Sequence, residues 1–126
     1  MDEVDFCLDE AEKRIEASKI LLSEGYCKDA VSRAYYSMYY ASKALLSMKG
    51  IQTRTHEGLA SKIGELAIEG VIEREYGKMV TKAKDMRGTA DYGMYKEFSI
   101  EEVKSLIEDA ERFLERITRA IKEGER

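Results

Sequence analysis

The chain has 126 residues, of which 44% are apolar and 37% charged, and its formal net charge is −4. That length predicts one domain, spanning 1–126, with a core of its own, and it excludes a disordered polymer. No run approaches the ~18 apolar residues of a membrane span, the acidic opening MDEVDFCLDE argues against a secretory leader, and the negative balance excludes a protein that coats nucleic acid by bulk electrostatics, though not one with a local basic site.

Val4, Leu8, Ala11, Ile15, Ser18 and Leu22 recur at spacings of four and three, which predicts a first helix over about 2–24. Acids crowd its start, where the helix dipole is positive, and Gly25 closes it. A second helix follows from about Cys27 to Lys49, with Gly50 as its stop. Its stripe runs through Cys27, Val31, Ala34, Met38, Ala41, Leu45 and Met48. Two such stripes joined by so short a turn predict an antiparallel hairpin.

Gly50 to Gly58 reads as a loop in which Thr55 caps a short third helix ending near Gly70. A fourth helix is expected from about Ile72 to Tyr92, with Tyr76, Val80, Ala83, Met86 and Ala90 inward and a break or kink at Gly88 left open. After a loop over 92–98, Ser99-Ile-Glu-Glu102 is a capping box that opens the last helix. That helix carries Val103, Leu106, Ile107, Ala110, Phe113, Leu114, Ile117 and Ile121, and its late bases Arg112, Arg116, Arg119 and Lys122 suit its negative end. The expected fold is all-α, an up-and-down antiparallel bundle of four long helices and one short one.

What is absent agrees with this. There is no proline to interrupt a helix, no asparagine or tryptophan, and one glutamine, Gln52. Few amides among many charges suggest a thermophile. Cys7 and Cys27 fall too far apart along the hairpin to bridge and read as small core residues in a reducing cytoplasm.

Chemistry concentrates in three places. In Arg33-Ala-Tyr-Tyr-Ser-Met-Tyr-Tyr40, four of the eight tyrosines fall on one helix. Arg33, Tyr36, Ser37 and Tyr40 share a face, and Tyr35 and Tyr39 share another. A guanidinium in line with phenols offers a fork for phosphate and rings for a base; packing at a helix or subunit interface would use the same residues. His56, the only histidine, sits just after the Thr55 cap. A lone histidine with no cysteine nearby makes a metal site unexpected. Its alternatives are proton transfer or local bonding. Arg87 and Asp91 stand four apart and can pair, either fixing the guanidinium for a ligand or forming a plain surface pair, and Lys78, Lys82 and Lys84 make the same helix basic. No glycine-rich phosphate loop or nucleophile elbow occurs, and no cofactor is expected.

With these residues the chain resembles the HEPN domains, most closely a small stand-alone prokaryotic branch. The likeness rests on Arg33-Ala34-Tyr35-Tyr36 with Ser37-Met38-Tyr39-Tyr40, on Thr55-His56-Glu57-Gly58 and on Arg87 to Tyr92, in that order. It extends to Ser99-Ile-Glu-Glu102 and Asp109-Ala-Glu-Arg-Phe113. Many HEPN proteins are metal-independent ribonucleases whose site joins an arginine and a downstream histidine from both subunits of a dimer. Arg33 matches the arginine, and Tyr40 stands where the histidine belongs. A phenol of pKa near 10 shuttles protons poorly at neutral pH.

The resemblance further implies a homodimer, to which the tyrosine face also points, and a minimal nucleotidyltransferase as toxin–antitoxin partner, which in some pairs modifies a HEPN tyrosine with AMP. Three readings stay open. One is a nucleotide- or RNA-phosphate-binding module working with that transferase through Arg33, Tyr36, Tyr40, His56, Arg87 and Asp91. The second is a ribonuclease toxin with Arg33 and either His56 or Tyr40 as catalytic groups. The third is a structural dimer. Neither a membrane nor DNA is an expected partner.

Overall fold

The computed structural model describes residues 2–124, and among these every regular element is a helix. In chain order they are α1 (Glu3–Ser23), α2 (Cys27–Met48), α3 (His56–Ile68), α4 (Arg74–Tyr92) and α5 (Ile100–Gly124). The all-α bundle expected from periodicity is the fold observed.

The ends form where local chemistry puts them. Asp2 caps α1 by accepting from the Asp5 amide at 2.8 Å, and Thr55 caps α3 by accepting from the Gly58 amide at 2.8 Å. At α5 the box closes both ways: Ser99 Oγ accepts from the Glu102 amide, and Glu102 accepts from the Ser99 amide, each at 3.1 Å. Gly25 and Gly50 follow α1 and α2 at φ 86° and 72°, a left-handed conformation that costs glycine little.

For α4 one expected bound moves, and one open question is answered. The helix begins at Arg74, because Ile72 is buried in the preceding turn. It also runs unbroken through Gly88 to Tyr92, since tertiary packing outweighs one weak propensity.

α2 is the axis of the bundle and touches each of the other four helices, with α1 as its most extensive neighbour. A single stripe cannot serve four neighbours. Around it, Ala30, Ala34, Ala41 and Ala44 are all fully buried, as are Ser37 and Ser42. Small side chains let backbones approach closely, and two serine hydroxyls fasten the hairpin. Ser37 Oγ donates to the Ala11 carbonyl at 2.8 Å, and Ser18 Oγ donates to the Ala30 carbonyl at 2.7 Å. Phe113, Leu106 and Ile117 of α5 seal the other side together with Leu45, Leu46 and Ile63.

Arg116 departs from the role its position suggests. It is buried at 8% exposure and reaches back to the start of α4. Its Nε donates to Glu73 Oε1 at 2.6 Å and its Nη2 to the Val71 carbonyl at 3.2 Å. It therefore clamps the α3–α4 turn to α5, whereas the sequence placed it among bases serving the dipole. Cys7 is buried and Cys27 half-buried, and both are free thiols.

Candidate functional site

The tyrosine row is spent inside the chain. Tyr35 is fully buried, and Tyr36, Tyr39 and Tyr40 are half-buried. Their rings touch edge-on in series, Tyr35–Tyr36 at 5.3 Å, Tyr36–Tyr39 at 5.8 Å and Tyr39–Tyr40 at 5.4 Å between centroids. The aromatic surface that suggested a subunit contact is thus largely consumed by contacts within one protomer. The exposed aromatics among the described residues lie elsewhere, at Phe6, Tyr26, Tyr92 and Tyr95.

His56 joins this row. As the first residue of α3 it is carried against α2, where its ring sits 4.8 Å from Tyr39, 5.6 Å from Tyr35 and 5.8 Å from Tyr36. Its Nδ1 is 2.6 Å from the Tyr35 hydroxyl. Burial, followed by the nearby Arg87 and Lys84 charges, lowers the imidazole pKa from 6.5, so the ring is neutral at pH 7. Burial pushes the Tyr35 phenol up to about 12, against an opposing pull from Arg87.

Two guanidiniums meet at Tyr36. Arg33, one turn earlier on α2, lies 5.8 Å from its ring centroid, and Arg87, delivered by α4, lies 5.4 Å from it and 5.8 Å from the Tyr35 ring. Arg87 Nε is 2.8 Å from Asp91 Oδ2. This is an ion contact off the N–H direction, so the buried Nε–H has no aligned acceptor. Asp91 is also held from α2, where Ser32 Oγ donates to its Oδ1 at 3.1 Å. Arg33 differs: among the described residues no carboxylate lies within ion-pairing distance of it.

The structure therefore gathers Arg33, Tyr36, His56, Arg87 and Asp91 from three helices into one neighbourhood. It leaves Tyr40 outside. Tyr40 shares a helix face with Arg33 on paper, but its ring packs under Arg14 of α1, 5.4 Å from the guanidinium carbon. Ser37, assigned to the same face, points into the hairpin. Tyr35 is the residue that sequence reasoning left without a role. Its signal was a second stripe on α2, Val31, Tyr35, Met38, Ser42 and Leu45, at the same four–three spacing.

The basic run of α4 divides. Arg87 faces the aromatic row and Lys84 lies close enough to His56 to lower its pKa, whereas Lys78 and Lys82 line a surface groove between α3, α4 and the start of α5. None of the residues singled out from sequence as binding or catalytic lines that groove. Among the described residues, no three of His, Cys, Asp and Glu cluster as metal ligands would, and no helix is long and apolar enough to cross a membrane.

The family model described as "HEPN domain" matches residues 4–121. A Methanocaldococcus jannaschii protein named "Putative toxin" is 38% identical over 123 residues, covering 97% of this chain and 91% of its own. A UPF0332 protein of Thermotoga maritima is 37% identical over 95% of this chain and 86% of its own. Another, from Archaeoglobus fulgidus, is 32% identical over 96% and 97% respectively.

Proposed function

The chain belongs to the HEPN domain family, and on that premise we propose that it is a nucleotide- or RNA-phosphate-binding module, toxin-like, that works as a homodimer with a minimal nucleotidyltransferase. One observation carries the reading. Arg33 and Arg87 flank the Tyr36 ring, and Arg33 has no carboxylate beside it. A guanidinium fork left free beside an aromatic face matches a phosphate with an attached base, since the fork takes two oxygens and the ring stacks. Arg87 is already balanced by Asp91, whereas Arg33 is not, so an anion bound at the Tyr36 ring would supply Arg33 with the counter-charge it lacks. The relative named as a toxin supports the toxin-like part, and the dimer and the transferase are what likeness to HEPN domains implies.

Ribonuclease activity is the second reading, and the observation favouring it is His56. α3 brings a histidine beside Tyr35, Tyr39 and Tyr36, the last of these one turn from Arg33, whereas position 40 itself turns to Arg14 of α1. Titration calorimetry with AMP, and with a short single-stranded RNA, tests the binding reading. Saturable binding that weakens in Arg87→Ala supports it, and no binding at low salt overturns it. Incubating the same RNA with the protein, with and without EDTA, tests the nuclease reading. Cleavage unaffected by EDTA and lost in His56→Ala would favour the second reading over the first.

A further inference from the structure

The hydroxyl of Tyr35 is buried, and its one hydrogen-bond partner among the described residues is His56 Nδ1, at 2.6 Å. A phenol has a single proton, and a neutral imidazole carries one proton on one of its two nitrogens. If Nδ1 carried that proton it would donate to the phenolic oxygen, and the phenolic proton would be left buried without an acceptor. Leaving a buried donor unmade is costly, on the order of 1–3 kcal/mol. Nδ1 must therefore be bare and accept from Tyr35, which puts the imidazole proton on Nε2.

The far side of the ring is free. Nε2 makes no hydrogen bond among the described residues, and it is not among their buried unpartnered atoms, so it meets solvent. The ring cannot turn over easily, because Tyr35, Tyr36 and Tyr39 pack around it at 4.8–5.8 Å. The charges that lower its pKa are the cations Arg87 and Lys84 of α4, and the N-terminus of α3, whose first residue it is, also disfavours the imidazolium. Asp91, the carboxylate of this neighbourhood, is paired with Arg87.

We infer that Tyr35 is a positioning residue that holds His56 as its Nε2–H form, so that the histidine enters the site as a neutral hydrogen-bond donor to an anionic oxygen and not as a proton acceptor. This rests on the phosphate-binding reading and sharpens it. An imidazole whose exposed nitrogen already carries its proton cannot take one from a ribose hydroxyl, but it can donate to a phosphate oxygen beside Arg87. Tyr35 thereby selects binding over general-base cleavage.

His56 is the only histidine, so the protein labelled with 15N-histidine gives the spectrum of one ring. In the ligand-free wild type at pH 7.5, two-bond N–H correlations are expected to show a pyrrole-type Nε2 and a pyridine-type Nδ1. In Tyr35→Phe, shown to be folded by its thermal melt, the lock is removed and the two forms mix. Tyr39→Phe keeps ring packing and should leave the wild-type pattern. Inorganic pyrophosphate is the binding probe: it should shift Nε2 in the wild type, and its affinity should fall about 10-fold or more in His56→Ala, the range of one hydrogen bond to a charged group, and by a smaller factor in Tyr35→Phe, where the donor form is only diluted. A pyridine-type Nε2 in the wild type overturns the inference even if pyrophosphate binds. An altered spectrum in Tyr35→Phe with unchanged affinity overturns the donor role. Failure of pyrophosphate to bind the wild type overturns the phosphate reading instead, while the ligand-free spectrum still reports which nitrogen holds the proton.

Discussion

Arg33→Ala separates a binding role from a packing role, and the structure sets the size of each effect. In the folded chain Arg33 makes a cation–π contact with the Tyr36 ring at 5.8 Å, and no ion pair among the described residues. A half-exposed contact of that kind contributes about 0.5–1 kcal/mol. Alanine is a slightly better helix former than arginine, which returns a few tenths at the centre of α2. The net loss is about 0.5 kcal/mol. For a chain of this size that lowers the melting temperature by roughly 2–3 °C. A bidentate, charge-assisted contact to phosphate is larger, about 1.5–3 kcal/mol, so affinity should fall roughly 10- to 150-fold. The assay pairs a thermal melt followed by circular dichroism with calorimetric titration of pyrophosphate at low salt. A melting temperature lowered by more than about 5 °C together with unchanged affinity would refute the reasoning, because Arg33 would then be a packing residue.

Three other outcomes are expected. Arg116→Met should lose about 1–3 kcal/mol in urea denaturation, since the Glu73 and Val71 bonds go while Glu73 stays in water; a loss near zero would mean the clamp holds nothing. Phe113→Ala removes a fully buried ring shared between α5 and its neighbours and should cost about 3–5 kcal/mol, checked by the same denaturation. For pH, the folded pKa of His56 lies below the ordinary 6.5, so the unfolded chain takes up its proton first and the stability due to the neutral ring is whole above 6.5 and lost as pH falls through the folded value. Between pH 7.5 and 5.5 the wild type should lose stability that His56→Asn does not, whereas Glu73, depressed from 4.5 by Arg116, acts only in more acid solution.

Interactions between near neighbours in the chain were legible from residues alone. Caps at Thr55 and Ser99, stops at Gly25 and Gly50 and the Arg87–Asp91 pair span at most four residues, so helical geometry alone brings them together. What escaped reading joins distant positions. Tyr35 and His56 are 21 apart, Arg116 and Glu73 are 43 apart, and each pair exists only because two helices dock. Tyr40 illustrates the same limit from the other side. Its helix face was read correctly by period, yet whether that face meets α4 or α1 depends on packing, and α1 supplies Arg14.

The hairpin fastened by Ser18 and Ser37 has a kinetic consequence. The contacts between α1 and α2 are close in sequence, so the loops they close are short and the entropy of closing them is small. During synthesis the hairpin can be complete while α4 is still unmade, with Tyr35 and Tyr36 then uncovered. His56 arrives next, and Arg87 only after some 30 further residues have been added. The cluster of Tyr36, His56 and Arg87 is thus completed only when α4 is made, on a hairpin already formed, and a nascent chain stalled before α4 would expose its tyrosines without yet possessing Arg87.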